Sequence, residues 1–340
     1  MKHTILALAL VGAFGAAQAQ SSVTIYGTLD EGITKRSDTT TAIGKRDNNK
    51  LGFKGVEDLG SGLKALFQLE IRYESDTGTV ESGTRPLFQG QSRVGLQGDF
   101  GMVRLGRGTT ALIDAVDLVD PFYGLSSTEG FKTDLAVAGY TSDPLSPAGN
   151  SGNRFSNALF YNSPEYMGFQ FNATVATKEA NGGPAVIGRG TTALPQYAAN
   201  AEASANPYSL SAIYKNGPAL FILAHERNAI ESKLLTAGAA FNTTEQLKLT
   251  FVYARQDQSH TKLINTKTKA WVLGGNYTIG AGRVLAGYGQ KSPDGVVKTK
   301  EASLGYEYNL SKRTYLYTDL SNKKAATSVR YYNLGVHHNF

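Results

Sequence analysis

The chain has no cysteine, which excludes a disulfide framework, a thiol nucleophile and thiolate metal sites. Histidine is scarce, with five in 340 residues, and tryptophan occurs once against 18 tyrosines and 15 phenylalanines. That aromatic mix is weighted towards strands and interfaces. Long apolar runs are missing beyond the N-terminal segment. The densest stretch, Ala219–Ala224, is far shorter than the roughly 20 residues a membrane-spanning helix needs. Mean hydropathy is −0.25, a value shared by soluble proteins and by membrane barrels with a polar lumen. A one-signed charge block is also lacking. Lysine and arginine total 34 against 28 acids, for a formal charge of +6, but the two signs are interleaved. Nucleic acid is therefore not an expected partner.

The first residues form a separate unit. Met1-Lys2-His3 is a short basic start, Thr4 to Ala17 is almost wholly apolar, and Ala17-Gln18-Ala19 places small residues two apart. This is the layout of a secretory signal peptide cleaved after Ala19. The alternative, a membrane anchor, is disfavoured because the apolar run is too short to span a bilayer. The mature chain expected is Gln20–Phe340.

From there on one event repeats. About ten residues alternate apolar and polar, a turn follows, and the alternation resumes. Val23, Ile25 and Leu29 stand against Thr24, Tyr26, Thr28 and Asp30. Leu247, Leu249, Phe251 and Tyr253 stand against Lys248 and Thr250. Leu304, Tyr306 and Tyr308 stand against Ser303, Glu307 and Asn309. Strict alternation marks a strand with two unlike faces, but a soluble sandwich shows it too. The connections separate the two. Tight turns at 58–62, 99–101, 216–217, 279–282 and 310–313 are interleaved with long polar connections near 36–48, 75–89, 109–152, 179–206, 259–267 and 291–298. Short turns on one side and long loops on the other are the pattern of an outer-membrane barrel. The segments number about 16, and a barrel of that size leaves an aqueous channel.

The connection 109–152 is too long to be a structureless loop in a compact domain, so a functional role is expected. It carries apolar residues able to pack (Leu112, Ile113, Val116, Leu118, Phe122, Tyr123) and acids: Asp114, Asp117, Asp120, Glu129 and Asp134. Apolar anchors with an acidic edge suit a loop that folds into the lumen. The connection 179–206 reads as an external flap.

Several blocks then carry a family resemblance. Ser22-Val23-Thr24-Ile25-Tyr26-Gly27 opens the mature chain, and the run from Leu51-Gly52-Phe53-Lys54-Gly55 to Leu63-Lys64-Ala65 follows. Val94 to Gly101, Arg104-Leu105-Gly106-Arg107, Asn162-Ser163-Pro164 to Phe169, Leu310 to Thr314 and Gly335 to Phe340 complete the set. In this order, over the whole chain, they resemble the general porins of the β-proteobacterial outer membrane. The resemblance implies an all-β fold, a 16-stranded antiparallel transmembrane β-barrel, assembled as a homotrimer among outer-membrane lipid, with the third extracellular loop folded inward. It also implies that the terminal Phe340 is an assembly signal read by the barrel-assembly machinery.

The same resemblance implies a basic wall facing an acidic loop at the constriction. Arg154 matches a wall arginine before the Pro164 block, and Lys50 stands where the family has arginine or lysine. The wall arginine expected near 91 is Gln91 here, and Arg93, on the same face by alternation, is the candidate replacement. With Arg72, these give Lys50, Arg72, Arg93 and Arg154 as the basic wall. Asp114, Asp117 and Asp120 are the loop acids expected opposite. The function implied is passive diffusion of small hydrophilic solutes and ions, with a mild anion preference.

Other functions fare worse. His3 leaves with the leader, His337 and His338 sit in the last strand, and His225 and His260 stand alone. No Gly-x-Ser-x-Gly, His-Glu-x-x-His or phosphate-loop pattern occurs, so catalysis is not expected. No cofactor is expected, and no calcium-loop spacing is present. A soluble adhesin and a channel preferring sugars or organic acids remain as alternatives. For sugars, a lumenal aromatic slide would be needed, and only Tyr26 and Phe160 are in view.

Overall fold

The computed structural model describes residues 22–81, 86–125, 130–144, 152–178, 205–258, 267–293 and 297–340, with two short strands, Val186–Ile187 and Gln196–Tyr197, paired to each other. The leader, and Glu129 in the long connection, lie outside the described residues. Sixteen strands form the wall: β1 Ser22–Arg36, β2 Lys50–Gly60, β3 Leu63–Glu74, β4 Gln91–Gly98, β5 Gly101–Thr109, β6 Arg154–Asn162, β7 Phe169–Ala176, β8 Tyr208–Asn216, β9 Ala219–Arg227, β10 Lys233–Asn242, β11 Leu247–Asp257, β12 Lys267–Ile279, β13 Gly282–Pro293, β14 Thr299–Asn309, β15 Thr314–Lys324 and β16 Ser328–Asn339. Thr41–Gly44 and Thr79–Val80 are short strands that pair with the ends of β1 and β3.

Each strand pairs antiparallel with its sequence neighbours, and the sheet closes on itself. The first half of β1 pairs with β2, from Ser22↔Val56 to Thr28↔Lys50. Its second half pairs with β16, from Thr28↔Asn339 to Arg36↔Tyr331. Closure leaves no open edge, so every wall strand satisfies its backbone groups from both sides.

Alternation sorts the side chains as the period requires. Val23 (67%) and Ile25 (60%) are exposed, while Thr28 and Asp30 on the opposite face are fully buried. Leu249, Phe251, Leu273, Leu304, Leu320 and Leu334 are likewise exposed, and the pattern runs round the barrel. Water would penalise so continuous an apolar belt; hydrocarbon is the solvent that suits it. No helix among the described residues is long and apolar enough to cross a membrane, so the strands are the crossing elements.

Seven turns on one side are short, between 61–62 and 310–313. Gly60 (φ 86°), Ser61 (φ 51°) and Gly62 (φ 79°) make the first of them, where the left-handed conformation favours glycine. On the other side, where β13 runs on to Pro293 in place of the long connection expected at 291–298, five connections are long, as the sequence indicates, but three are short: 228–232, 294–298 and 325–327. In the first of these, Asn228 Oδ1 accepts from the Ile230 and Ser232 amides at 3.2 and 2.9 Å and closes the loop.

Candidate pore site

Six basic side chains of the site sit on five consecutive strands, β2 to β6. Lys50 stands opposite Arg72 in register, and Arg72 pairs with Glu70 at 2.9 Å. Arg154 donates through Nε to the Gly90 carbonyl at 2.7 Å and through Nη1 to Asn153 Oδ1 at 2.8 Å. It lies within electrostatic reach of Arg72 and Arg107. Arg107 in turn donates to the Gln89 carbonyl at 2.9 Å and to Ser156 Oγ at 2.7 Å. These contacts hold like charges side by side, each guanidinium fixed by its own hydrogen-bond acceptors.

A second pair lies towards the short-turn side. Arg93 donates through Nε and Nη2 to Gln68 Oε1 at 3.2 and 3.0 Å, and Arg104 donates to Asn162 Oδ1 at 2.6 Å. Both guanidiniums flank the Phe160 ring, at 5.5 and 5.9 Å from its centroid. Gln91, the departure from the expected arginine, is buried.

The segment between β5 and β6 rests on the remaining strands. Its helix α1, Ala111–Val116, starts at Thr110, whose side chain accepts from the Ile113 amide. Thr110 Oγ1 also donates to Glu226 at 2.6 Å. The Ala111 and Leu112 amides donate to Thr174 and Ser209 at 3.1 and 2.9 Å. Thus strands β7 to β9 satisfy the start of α1 from the face opposite the apolar belt. Further along, glycines make the seat. A Cβ on Gly238 would meet Val119, one on Gly274 would meet Pro121, and one on Gly287 would meet Phe131, all within 3 Å. Phe122 and Phe131 pack edge to face at 5.8 Å. The far end is held by charge, with Asp134 paired to Lys291 and Lys323.

The three loop acids occupy different surroundings. Asp114 is the only residue of α1 that is not buried, and its charge acts on Arg93 and Arg104. Asp117 pairs with Lys132 at 2.7 Å. Asp120 is 1% exposed and accepts from the Gly124 and Phe122 amides at 2.7 and 3.4 Å. Burial pushes the Asp117 carboxyl up to about 7 against the pull of Lys132, and pushes Asp120 up to about 6 against its two amide donors. Asp134 is also opposed by burial, but Lys291 and Lys323 bring it below the usual carboxylate range.

Sequence reasoning missed Arg104 and Arg107 as wall residues, although both lie in a motif it singled out. A spacing of three puts them on opposite faces of a regular strand. The bulge between Gly106 and Gly108 shifts the register and lets both join the basic wall. Also missed were Arg283 and Lys248, whose cationic groups stand 4.2 and 5.5 Å from the ring of Tyr123.

The Gram-negative porin family matches residues 6–328. Outer membrane porin protein 32 of Delftia acidovorans is 32% identical, with 96% of this chain and 92% of the relative aligned. The chain is a Gram-negative porin. An outer membrane porin of Bordetella pertussis is 28% identical over 93% of each chain. Among solved structures, the anion-selective porin from Comamonas acidovorans superposes with a TM-score of 0.76 at 24% identity, covering 94% of this porin and all of that chain. The trimer form of OmpT from Vibrio cholerae gives 0.65 at 14% identity, covering 94% and 99%. The porin resides in the outer membrane, and its barrel is the architecture of this family.

Proposed function

We propose that this porin is a general diffusion channel for small hydrophilic solutes and ions, with a mild anion preference. We further propose that the segment 109–152 folds into the lumen and sets the narrowest passage. The observation that carries both is that α1 is held by β7 to β9 while its one partly exposed acid acts by charge on the basic wall. Asp114, the helix's one partly exposed residue, acts on Arg93 and Arg104 across the strands that the segment leaves bare. Lys50, Arg72, Arg93 and Arg154, joined by Arg104 and Arg107, supply the positive side. On the other side Asp117 is neutralised by Lys132 and Asp120 is enclosed in its own turn. Positive charge is therefore in surplus. Fixed charges act over about 8–10 Å at physiological salt, so a narrow passage would feel the whole wall.

The working unit in this reading is a homotrimer surrounded by outer-membrane lipid. The leader would be removed after Ala19, and Phe340 would be read by the barrel-assembly machinery. The Phe340 amide and carbonyl pair with those of Gly27 at 3.2 and 3.1 Å, which seats the last residue on the first strand. Transport is passive, and no residue is assigned to catalysis. The comparison of wild type with Arg154→Ala tests the wall. In a salt gradient across a planar bilayer, wild type should give a reversal potential of anion sign, and the variant should move it towards zero. An unchanged potential would remove Arg154 from the narrow passage.

A further inference from the structure

On β11 to β15 the alternation that turns Phe251, Leu273, Leu304 and Leu320 outward continues towards the long-loop end as Arg255, Lys269, Lys300 and Lys324, all exposed. Arg255 stands directly opposite Lys269, and Lys300 directly opposite Lys324. Like charges so placed repel, and none of the four has a partner among the described residues. The one acid in these outward rows, Asp257, lies beyond Arg255, opposite Lys233 and Lys267. Between Lys269 and Lys300 lie Ser292 and Gln290 of β13, each in register with one of the two lysines.

Nearer the short-turn side the apolar belt has a groove. Gly275 and Ala286, opposite each other, are the small residues of a row that runs from Leu249 to Leu304. The groove measures about 630 Å³ and is rimmed by Leu249, Leu273, Tyr288 and Leu304. Its floor includes Gly274 and Gly287, whose Cβ positions point the other way, at Pro121 and Phe131. Backbone alone therefore separates the groove from the 109–152 segment.

The spacing of the two features fits one molecule. Lys300 precedes Leu304 by four residues and Lys269 precedes Gly275 by six, about 13 and about 20 Å along a strand. One leaflet of hydrocarbon is about 15 Å deep. A fatty chain anchored at the cations would thus run past Trp271 and Tyr288, whose ring centroids are 5.7 Å apart, and end in the groove. A soluble anion would answer the cations and leave the groove bare.

We propose that this face holds one phosphate-bearing lipid and that its held chain backs the wall under the 109–152 segment. The phosphate lies over Gln290 and Ser292 between Lys269 and Lys300, with Arg255 and Lys324 flanking, and one chain fills the groove. Ammonium and guanidinium groups suit phosphate oxygens. The binding stands on the barrel alone; the backing rests on the channel reading above.

Trp271, the chain's only tryptophan, reports on the lipid beside it. The refolded mature porin is placed in phosphatidylcholine vesicles doped with chain-brominated phosphatidic acid or chain-brominated phosphatidylcholine. Each cation beside an anionic headgroup favours it by about fivefold. Brominated phosphatidic acid should therefore quench Trp271 with a binding constant at least fivefold above that of its phosphatidylcholine counterpart. Lys269→Gln with Lys300→Gln should bring that ratio close to one. Ala286→Leu, which fills the groove, should at least halve it. All three positions are exposed, so the variants leave the wall intact. Added inorganic phosphate should leave the ratio in place; its loss would assign the cations to a soluble anion. Equal quenching by the two lipids in wild type would overturn the site, as would a ratio that survives either set of substitutions. No quenching by either lipid would give this face to a second copy of the chain. In planar bilayers, phosphatidic acid should lower the open-channel noise of wild type and not that of the double lysine variant. Unchanged wild-type noise would overturn the backing. A barrel that binds the lipid and carries no current would instead overturn the channel reading.

Discussion

Arg46 shows how much a single lumenal side chain can be asked to hold. It is fully buried, with Nη1 on Glu307 at 2.6 Å, Nη2 on Asp319 at 2.9 Å and its guanidinium 4.9 Å from the Tyr317 ring centroid. Its amide donates to Asp30, which also accepts from Tyr317 and contacts His337 Nδ1 at 2.8 Å. Removing the cation leaves Asp319 without its ion pair, while Glu307 keeps Arg283, and breaking such a buried pair costs about 3–5 kcal/mol. Arg46→Ala should lower the unfolding free energy in detergent by that order, read from a urea or thermal melt; a change under about 1 kcal/mol would mean that water already screens the cluster. The loop acids give a pH effect of definite sign. Asp117 and Asp120, raised by burial to about 7 and about 6, lose negative charge as pH falls from 8 to 5. Anion preference should therefore grow on acidification, and the double variant Asp117→Asn, Asp120→Asn should show a smaller change of reversal potential over that range than wild type.

At the scale of elements, Val119, Pro121 and Phe131 pack against glycines of β10, β12 and β13. A side chain at Gly274 would meet Pro121 at 2.7 Å, and overpacking of this kind costs about 1–3 kcal/mol. Gly274→Val should loosen the segment, seen as added open-channel noise and a lower melting temperature. Noise and melting indistinguishable from wild type would show that the seat tolerates the extra volume. The strands themselves were legible because period-two alternation and a belt of exposed residues are local signals: Val23/Ile25/Leu29 and Leu247 to Tyr253 can be read without knowing any partner. The helix α1 and the glycine seat were not legible. Leu112, Ile113 and Val116 show that the segment packs, but the residues that hold its start lie 63 to 116 positions away. Nor could the sequence separate the roles of the three acids. Asp114 faces cations, Asp117 has Lys132 and Asp120 closes a turn, and each outcome is set by partners that spacing does not reveal. Arg107 stayed hidden behind a bulge, which breaks the alternation by which a face is assigned.

For the whole molecule, closure is the property on which the rest depends. β1 is shared between β2 and β16, and Phe340 completes the seam through its backbone pair with Gly27. Deleting Phe340 should lower the yield of barrel that resists unfolding in unheated detergent. An undiminished yield would assign the seam to the Asp30–Tyr317–His337 contacts alone. A closed wall with a belt for lipid, a basic inner side and a segment seated across from it adds up to a selective but open conduit. Single-channel recording of the refolded mature chain in a planar bilayer tests that claim most directly. The account predicts persistent ohmic steps grouped in threes, with a reversal potential of anion sign in a salt gradient. A folded, heat-modifiable barrel that inserts into the bilayer and conducts nothing would contradict it.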